Sequence, residues 1–328
     1  MFKRIAIIGC KSTTQFLLEN LISHLNIFCL VTIDADMAKR NEVADYTDLR
    51  PFCQQNQIAY HVASSYSLNR DIDYLFFKDN CIDLCFVMGW QRLIPENILD
   101  LLTIGAFGMH GSAMGLPLGR GRSPLNWALI EGKKQFYTSL FKYDKGIDSG
   151  QVLDTYKFQI GEVDNAETLH LKNSLSMLYL IKKNIDDLLH HQFQLKEQNI
   201  QVMPTYYPKR SPSDSLIDWS QDVYTIERFI RAVSYPFNGA FTFVNKGIRV
   251  KIISAQVFDF SEFGYDDSNI GDIVQVFPYE KILIKCNGGL LLVTKYESDI
   301  ILNKGETLHN GSHSIKIFER NPQGNFDL

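Results

Sequence analysis

The sequence predicts an α/β protein in which a doubly wound parallel sheet is followed by a smaller, mainly β, open-barrel-like domain. Three observations carry this. Short apolar runs alternate with amphipathic helical patterns from Lys3 to Met109. The composition breaks at PTYYPKRSPSDS (204–215), rich in proline and hydroxyl residues. Beyond Phe241, short alternating strands separated by Gly and Asn turns dominate. At 328 residues and 45% hydrophobic content there is material for more than one core. The expected division is 1–203, 204–299 and a C-terminal extension, 300–328.

Taken in order, Lys3 to Gly9 is an apolar strand ending in Gly, and Thr13 to Leu25 is a helix with Phe16, Leu17, Leu21 and Leu25 on one stripe. Asn26 to Ile33 is a second strand, Asp48 to Asn56 a helix and Ile58 to Val62 a third strand. Asp83 to Met88 is the fourth, Pro95 to Leu102 a short helix with Pro in its first turn, and Ala106 to Met109 the fifth. This alternation is Rossmann-like. Phe136 to Asp144 and Gln151 to Ile160 are extended segments joined by KGIDSG, which holds Asp148 at its tip. Asp164 and Glu167 form a capping box for a long helix with Leu171, Leu175, Leu178, Ile185 and Leu188 as its buried stripe. In the second domain Ile226 to Val233 is helical, and AFTFVN, IRVKIISAQVF, DIVQVF, KILIKC and LLLVTKY are strands. From about Ile300 the chain reads as a loosely packed tail.

Composition narrows the function. Lys plus Arg at 33 against Asp plus Glu at 37 gives a net charge of -4, which disfavours a general hold on nucleic acid. No apolar run approaches the length of a membrane span, and the start, MFKRIAIIGC, is too short in apolar residues for a secretory leader. The six cysteines are scattered, a cytosolic thiol pattern, so a cytoplasmic enzyme is expected. Cys81 and Cys85 lie in CIDLCFVM, where both thiols fall on one core face of a strand, and no second Cys/His pair follows, so no metal site is expected. GCKST (9–13) lacks the glycines of a phosphate loop, and the first turn lacks G-x-G-x-x-G. The fold therefore comes without a signal for a nucleoside triphosphate or for NAD.

In such a sheet ligands bind beyond the carboxyl ends of the strands, where FVMGWQRLIP (86–95) and FGMHGS (107–112) both emerge. The stretch 105–150 concentrates the chemistry: a strand-end His110, a Pro/Gly/Arg loop, and Asp148 in a Gly-rich turn. Transfer of an acyl group to an amine builds a tetrahedral intermediate, which needs a donor for its oxyanion and a route for the amine's proton. A histidine can serve near neutral pH, and an adjacent aspartate fixes its tautomer and favours its charged form.

GAFGMHGSAMGLPLGRGRSPLNWALIEG followed by GIDSGQVL closely resembles the folate-dependent formyltransferases, and the resemblance runs over most of the chain. Within that family, the RGR-SPLNW, PKRSPSDSLIDW and RAVSYPFNGAF segments look more like enzymes that formylate amino sugars on nucleotide carriers. The resemblance implies His110 and Asp148 as the catalytic pair and N10-formyltetrahydrofolate as formyl donor. It places the pterin between Met88, Gly89, Trp90, Gln91, Arg92, Leu93 and Ile94 on one loop and Lys145, Gly146 and Ile147 on the other. It implies a dTDP- or UDP-linked amino-deoxy sugar as acceptor, with a role in surface polysaccharide such as lipopolysaccharide. Ser112, Arg120, Gly121 and Arg122 are the expected acceptor contacts, the arginines through charge-assisted bonds to a pyrophosphate. Lys209 and Arg210 are further cations near Tyr206, Tyr207 and Trp219, rings that could stack a base or pack a domain boundary, the latter favoured for Trp219. A homodimer is the expected assembly.

One departure stands out. Where the family carries Asn two residues before its His, this chain has Gly108. Loss of an oxyanion donor costs about a hundredfold in rate, so a water or a neighbour such as Ser112 must stand in, or the chain binds folate and sugar nucleotide without catalysis. A methionyl-tRNA formyltransferase is the other reading. It calls for a basic stretch after the second strand, where acidic Asp34, Asp36, Glu42, Asp45 and Asp48 here outnumber Lys39, Arg40 and Arg50.

Overall fold

A computed structural model describes residues 3–245, 247–322 and 324–326. The chain folds as two compact units interleaved in sequence. One takes residues up to Gly121, Gln135–Phe158 and Leu171–Tyr206; the other takes Arg122–Lys134, Gln159–His170 and Tyr207 onward. In chain order the elements are β1 (Ile5–Ile8), α1 (Ser12–Leu21), β2 (Ile27–Thr32), α2 (Ala35–Arg40), α3 (Arg50–Gln55), β3 (Ala59–Val62), α4 (Asp71–Asp79), β4 (Leu84–Val87), α5 (Glu96–Leu99) and β5 (Gly105–Ser112). There follow β6 (Arg120–Gly121), α6 (Pro124–Ile130), β7 (Gln135–Lys142), β8 (Val152–Gln159) and α7 (Ala166–Leu189). Then come β9 (Tyr206–Tyr207), α8 (Val223–Ala232), β10 (Ala240–Val244), β11 (Ile248–Asp259), β12 (Ile273–Phe277), β13 (Lys281–Cys286), β14 (Gly289–Ser298) and β15 (Leu308–His309).

The first unit is built on a seven-stranded sheet of order β3-β2-β1-β4-β5-β7-β8. Strands β1 to β5 are parallel, and β7 joins antiparallel to β5. The order reverses between β1 and β4, which puts the loops after these two strands at the switch point. There Thr14 Oγ1 donates to Met88 O (2.6 Å), and a Cβ on Gly9 would stand 2.0 Å from that same carbonyl, so only glycine lets the two loops meet. Both faces of the sheet are covered. Ile5, Ile7, Leu84, Phe86 and Phe107 pack with Leu17, Leu18 and Leu21 on one side, and Ala6, Ile8, Val31, Cys85 and Val87 pack with Phe77 and Ile98 on the other.

Helices α2, α4 and α6 are not among the expected elements, and α2 and α6 are too short for a helical period to show. Their starts lie in local chemistry instead: Asp34 accepts from Met37 N (2.7 Å) to cap α2, and Pro124 sits in the first turn of α6. The long helix starts one residue later than the capping box predicts, because Asn165 and Thr168 exchange the cap bonds while Asp164 accepts from Gly161 N and Thr168 Oγ1. Its inward stripe is Met177, Leu180, Ile181, Ile185 and Leu188, whereas Leu171 and Leu175 are exposed. The turn before β4 corrects another expectation: Cys81 has φ 46 and is exposed, so Cys85 alone packs in the core.

Buried acids in this unit give it a defined alkaline weakness. Burial pushes the thiols of Cys10 and Cys29 up to about 11 and about 12 from 9.0. Above pH 9 the unfolded chain therefore releases protons that the folded chain keeps, and stability falls as pH rises, by about 1.4 kcal/mol per pH unit for each group inside its window. The denaturation midpoint should drop steadily between pH 9 and 11 when followed by circular dichroism, in the described protein and less so in Cys10→Ala.

The second unit is a six-stranded antiparallel half-barrel of order β12-β13-β14-β11-β10-β15. Helix α8, capped by Asp222, lays Val223, Ile226 and Ile230 into its core. Trp219 lies in that same core, its Nε1 donating to Thr242 Oγ1 at 2.9 Å. Residues beyond 300 are not a loose tail at first. Leu302 and Leu308 are buried, and the 305–308 segment bonds Gly271 and Ile273 while β15 pairs with β10, which ties the two ends of the sheet. Gln323 and the last two residues of the extension lie outside the described residues.

Candidate active site

His110 and Asp148 meet. His110 Nδ1 stands 3.3 Å from Asp148 Oδ2, both within the first unit. β5 carries His110 past the end of β4, and the antiparallel β7 sets Ser139 opposite it. The other ring nitrogen, Nε2, is held 2.7 Å from Gly119 O. A carbonyl and an ionised carboxylate both accept only, and a neutral imidazole has a single N–H. The ring's N–H therefore belongs on Nε2, donating to Gly119 O, and Nδ1 is the nitrogen that faces the carboxylate.

Asp148 has φ 49, a left-handed conformation that Asp tolerates better than most residues. Three contacts keep it there. Gly121 N donates to Oδ2 (3.1 Å), and Gln198 Nε2 donates to the carbonyls of Asp148 and Gly150, both at 2.8 Å. A Cβ on Gly150 would lie 1.7 Å from Lys142 O, so the turn can close on β7 only with glycine there. At the front of the turn Asp144 accepts from Gly146 N and Ser149 Oγ.

Gln198 reaches the acceptor loop as well, since its Oε1 accepts from Arg120 Nη2 at 2.6 Å. Arg120 is buried, donates from Nη1 to Tyr206 Oη (3.2 Å), and its Nε has no partner among the described residues. Gly121 spends its amide on Asp148, while Arg122 belongs to the second unit and donates its N–H to Tyr207 O. Ser112 is buried with its Oγ accepting from Met114 N (3.2 Å).

Of the expected donor loop, Met88 and Ile94 are core residues, as is most of Trp90, which packs edge-on to Tyr66 at 4.6 Å. Gly89 has φ 75 and would crowd Thr14 with any side chain. Gln91 N donates to Tyr66 Oη, and Arg92 lies over the Tyr66 ring at 4.8 Å while bonding Gln91 O and Asn41 Oδ1. Two side chains, Leu93 at 44% and Ile147 at 52%, are exposed apolar groups on the two loops, and Lys145 is exposed beside Ile147. Trp90 Nε1 is buried with no partner among the described residues. Exposed apolar side chains with an unspent indole N–H fit a flat heterocycle with a polar edge.

Sequence reasoning missed Tyr143 and Gln198. The first had a signal, because a glycine on the site-facing side of a strand marks the close approach of a neighbour. A Cβ on Gly108 would lie 2.0 Å from Tyr143 Cε2. Gln198 had none, coming from an irregular stretch about fifty residues beyond the groups it binds.

Residues 3–175 match the family model described as "Formyl transferase", and residues 209–303 match "Formyl transferase, C-terminal domain". The chain is 35% identical over 162 residues to the bifunctional polymyxin resistance protein ArnA of Wigglesworthia glossinidia brevipalpis, a match covering 49% of this chain and 24% of that protein. It thus spans about a quarter of the length of that curated relative. Among solved structures it is similar in fold to WlaRD, a sugar 3N-formyl transferase solved with dTDP and 5-N-formyl-THF (TM-score 0.63, 18% identity, 92% of this chain and 100% of that one). It is also similar to the N-formyltransferase from Helicobacter canadensis solved with folinic acid and dTDP-3-aminofucose (TM-score 0.62, 18% identity, 90% and 100%).

Proposed function

The chain belongs to the formyl transferase family, and from that premise we propose that it moves a formyl group from N10-formyltetrahydrofolate to the amine of a dTDP- or UDP-linked amino-deoxy sugar. The observation that carries the reading is the buried His110 held between Asp148 and Gly119 O. In this role His110 takes the proton that the attacking amine must lose and returns it to the departing nitrogen, while Asp148 keeps the ring oriented and balances its charge. Met88 to Ile94 and Lys145 to Ile147 hold the folate, with Leu93 and Ile147 against its ring faces and Trp90 Nε1 free to donate. The donor supplies an activated formyl carbon; the protein supplies position and proton management.

The nucleotide sugar rests on Arg120, with Gly121 beside it on β6 and Ser112 at the end of β5. A buried guanidinium whose Nε is unspent suits one phosphate oxygen, and the fold relatives solved with dTDP or a dTDP-sugar support that choice of acceptor. The net charge of -4 argues against tRNA.

The test is incubation with N10-formyltetrahydrofolate and a panel of dTDP- and UDP-amino sugars, read by mass. A gain of one formyl group on one or a few sugars is the expected result. Binding of folate and sugar with no mass gain on any acceptor would sink the proposal, and salt-sensitive tight binding of tRNA would redirect it.

A further inference from the structure

The structure fills the space beside His110 with an aromatic ring. Gly108 and His110 are two apart on β5, so their side-chain positions share one face of the sheet. Phe141 is directly opposite Gly108 on β7, and Tyr143, two residues further, is on the same face and stacked on Phe141 at 5.3 Å. With no side chain at residue 108, the Tyr143 ring crosses over: Cε2 lies 2.0 Å and Cζ 2.9 Å from where a Cβ would stand. The hydroxyl is one bond beyond Cζ, so the ring that fills the space over Gly108 also carries a hydrogen-bond donor. Burial first, and then the charge of Asp148, raise the phenol well above its ordinary value, so it stays protonated.

We propose that Tyr143 is the oxyanion donor of this site, reaching it through the gap that Gly108 leaves. The inference rests on the formyl-transfer reading above. In the transfer the acceptor nitrogen bonds the formyl carbon, the bond from that carbon to N10 breaks, and one proton passes from the acceptor to N10 by way of His110. The formyl oxygen carries negative charge between those two events. The neutral phenol donates a hydrogen bond to it and keeps its own proton throughout. Glycine at residue 108 is then a requirement of this arrangement, because any side chain there displaces the ring.

Four variants and two readouts test this. Tyr143→Phe keeps the ring and removes the donor, and should lower kcat by about a hundredfold with KM for the formyl donor and the thermal midpoint near wild type. Gly108→Asn alone should lose both stability and activity, since its Cβ meets the ring. Gly108→Asn combined with Tyr143→Ala should melt higher than Gly108→Asn and turn over faster than Tyr143→Ala, because the amide now enters the vacated volume. Wild-type kcat in Tyr143→Phe overturns the proposal. So do additive melting effects in the two-residue cycle, which need no activity to measure. Failure of the formyl-transfer reading itself shows separately, as a wild type that transfers to no acceptor.

Discussion

His110→Ala is expected to lower formyl transfer by about a thousandfold while leaving the fold in place, within the range that general acid–base groups contribute. The ring is buried but makes one hydrogen bond, to Gly119 O, and the space it leaves adjoins the polar Asp148. The cost to stability is therefore one carbonyl bond and a partly filled space, and the cost to turnover is the whole proton route. Steady-state kinetics should show the loss in kcat with KM for the folate nearly unchanged, because the residues assigned to the folate, 88–94 and 145–147, are not touched. A variant that kept more than a tenth of wild-type kcat would remove His110 from the chemistry. Loss of donor affinity in proportion would instead make it a binding residue.

The second large effect is at Gln198. Its one amide satisfies Arg120, Asp148 O and Gly150 O, with all three bonds buried or nearly so. Gln198→Leu keeps the volume and strands two carbonyls and a guanidinium. At roughly 1–3 kcal/mol for each group left unpaired, a loss of about 3–5 kcal/mol is expected after local relaxation. Urea unfolding measures it. A functional effect should accompany the loss, since the turn that carries Asp148 is fastened to Arg120 of β6 through this amide. Gln198→Glu separates the two: its carboxylate still accepts from Arg120 yet cannot donate to either carbonyl, so kcat should fall even where Arg120 stays paired. Unfolding energies for Gln198→Leu within 1 kcal/mol of wild type would show that water replaces the amide, by the same scale of unpaired groups.

How much of this was legible in the sequence depends on whether a feature is local. The five parallel strands were, four of them because β1, β2, β4 and β5 are largely apolar runs of four to eight residues closed by polar or glycine turns. The meeting of His110 and Asp148 was legible from the residues around each, since one ends a strand and the other sits in a turn between two strands. Short helices were not. α2 has six residues and α6 seven, too few to show a period, and only the Asp34 cap and Pro124 mark their starts. The inward face of α7 was misread because its nine leucines and isoleucines are spread over more than one stripe, and packing chose Met177 and Ile181 over Leu171 and Leu175. Contacts such as those of Gln198 join positions about fifty to eighty residues apart and leave no local mark. Gly108 lay between these cases. Its sequence shows a missing side chain, and only the structure shows the Tyr143 ring standing in its place.

The left-handed backbone of Asp148 bears on how substitutions there are to be interpreted. At φ 49 the position accepts Asn or Gly with little penalty, whereas longer or branched side chains add conformational strain of their own. Asp148→Asn thus isolates the electrostatic part of the pair, and Asp148→Glu mixes it with torsion. A mutational survey of this position would sort replacements by backbone tolerance before it sorted them by charge, and a defect in the glutamate variant would carry no message about acidity.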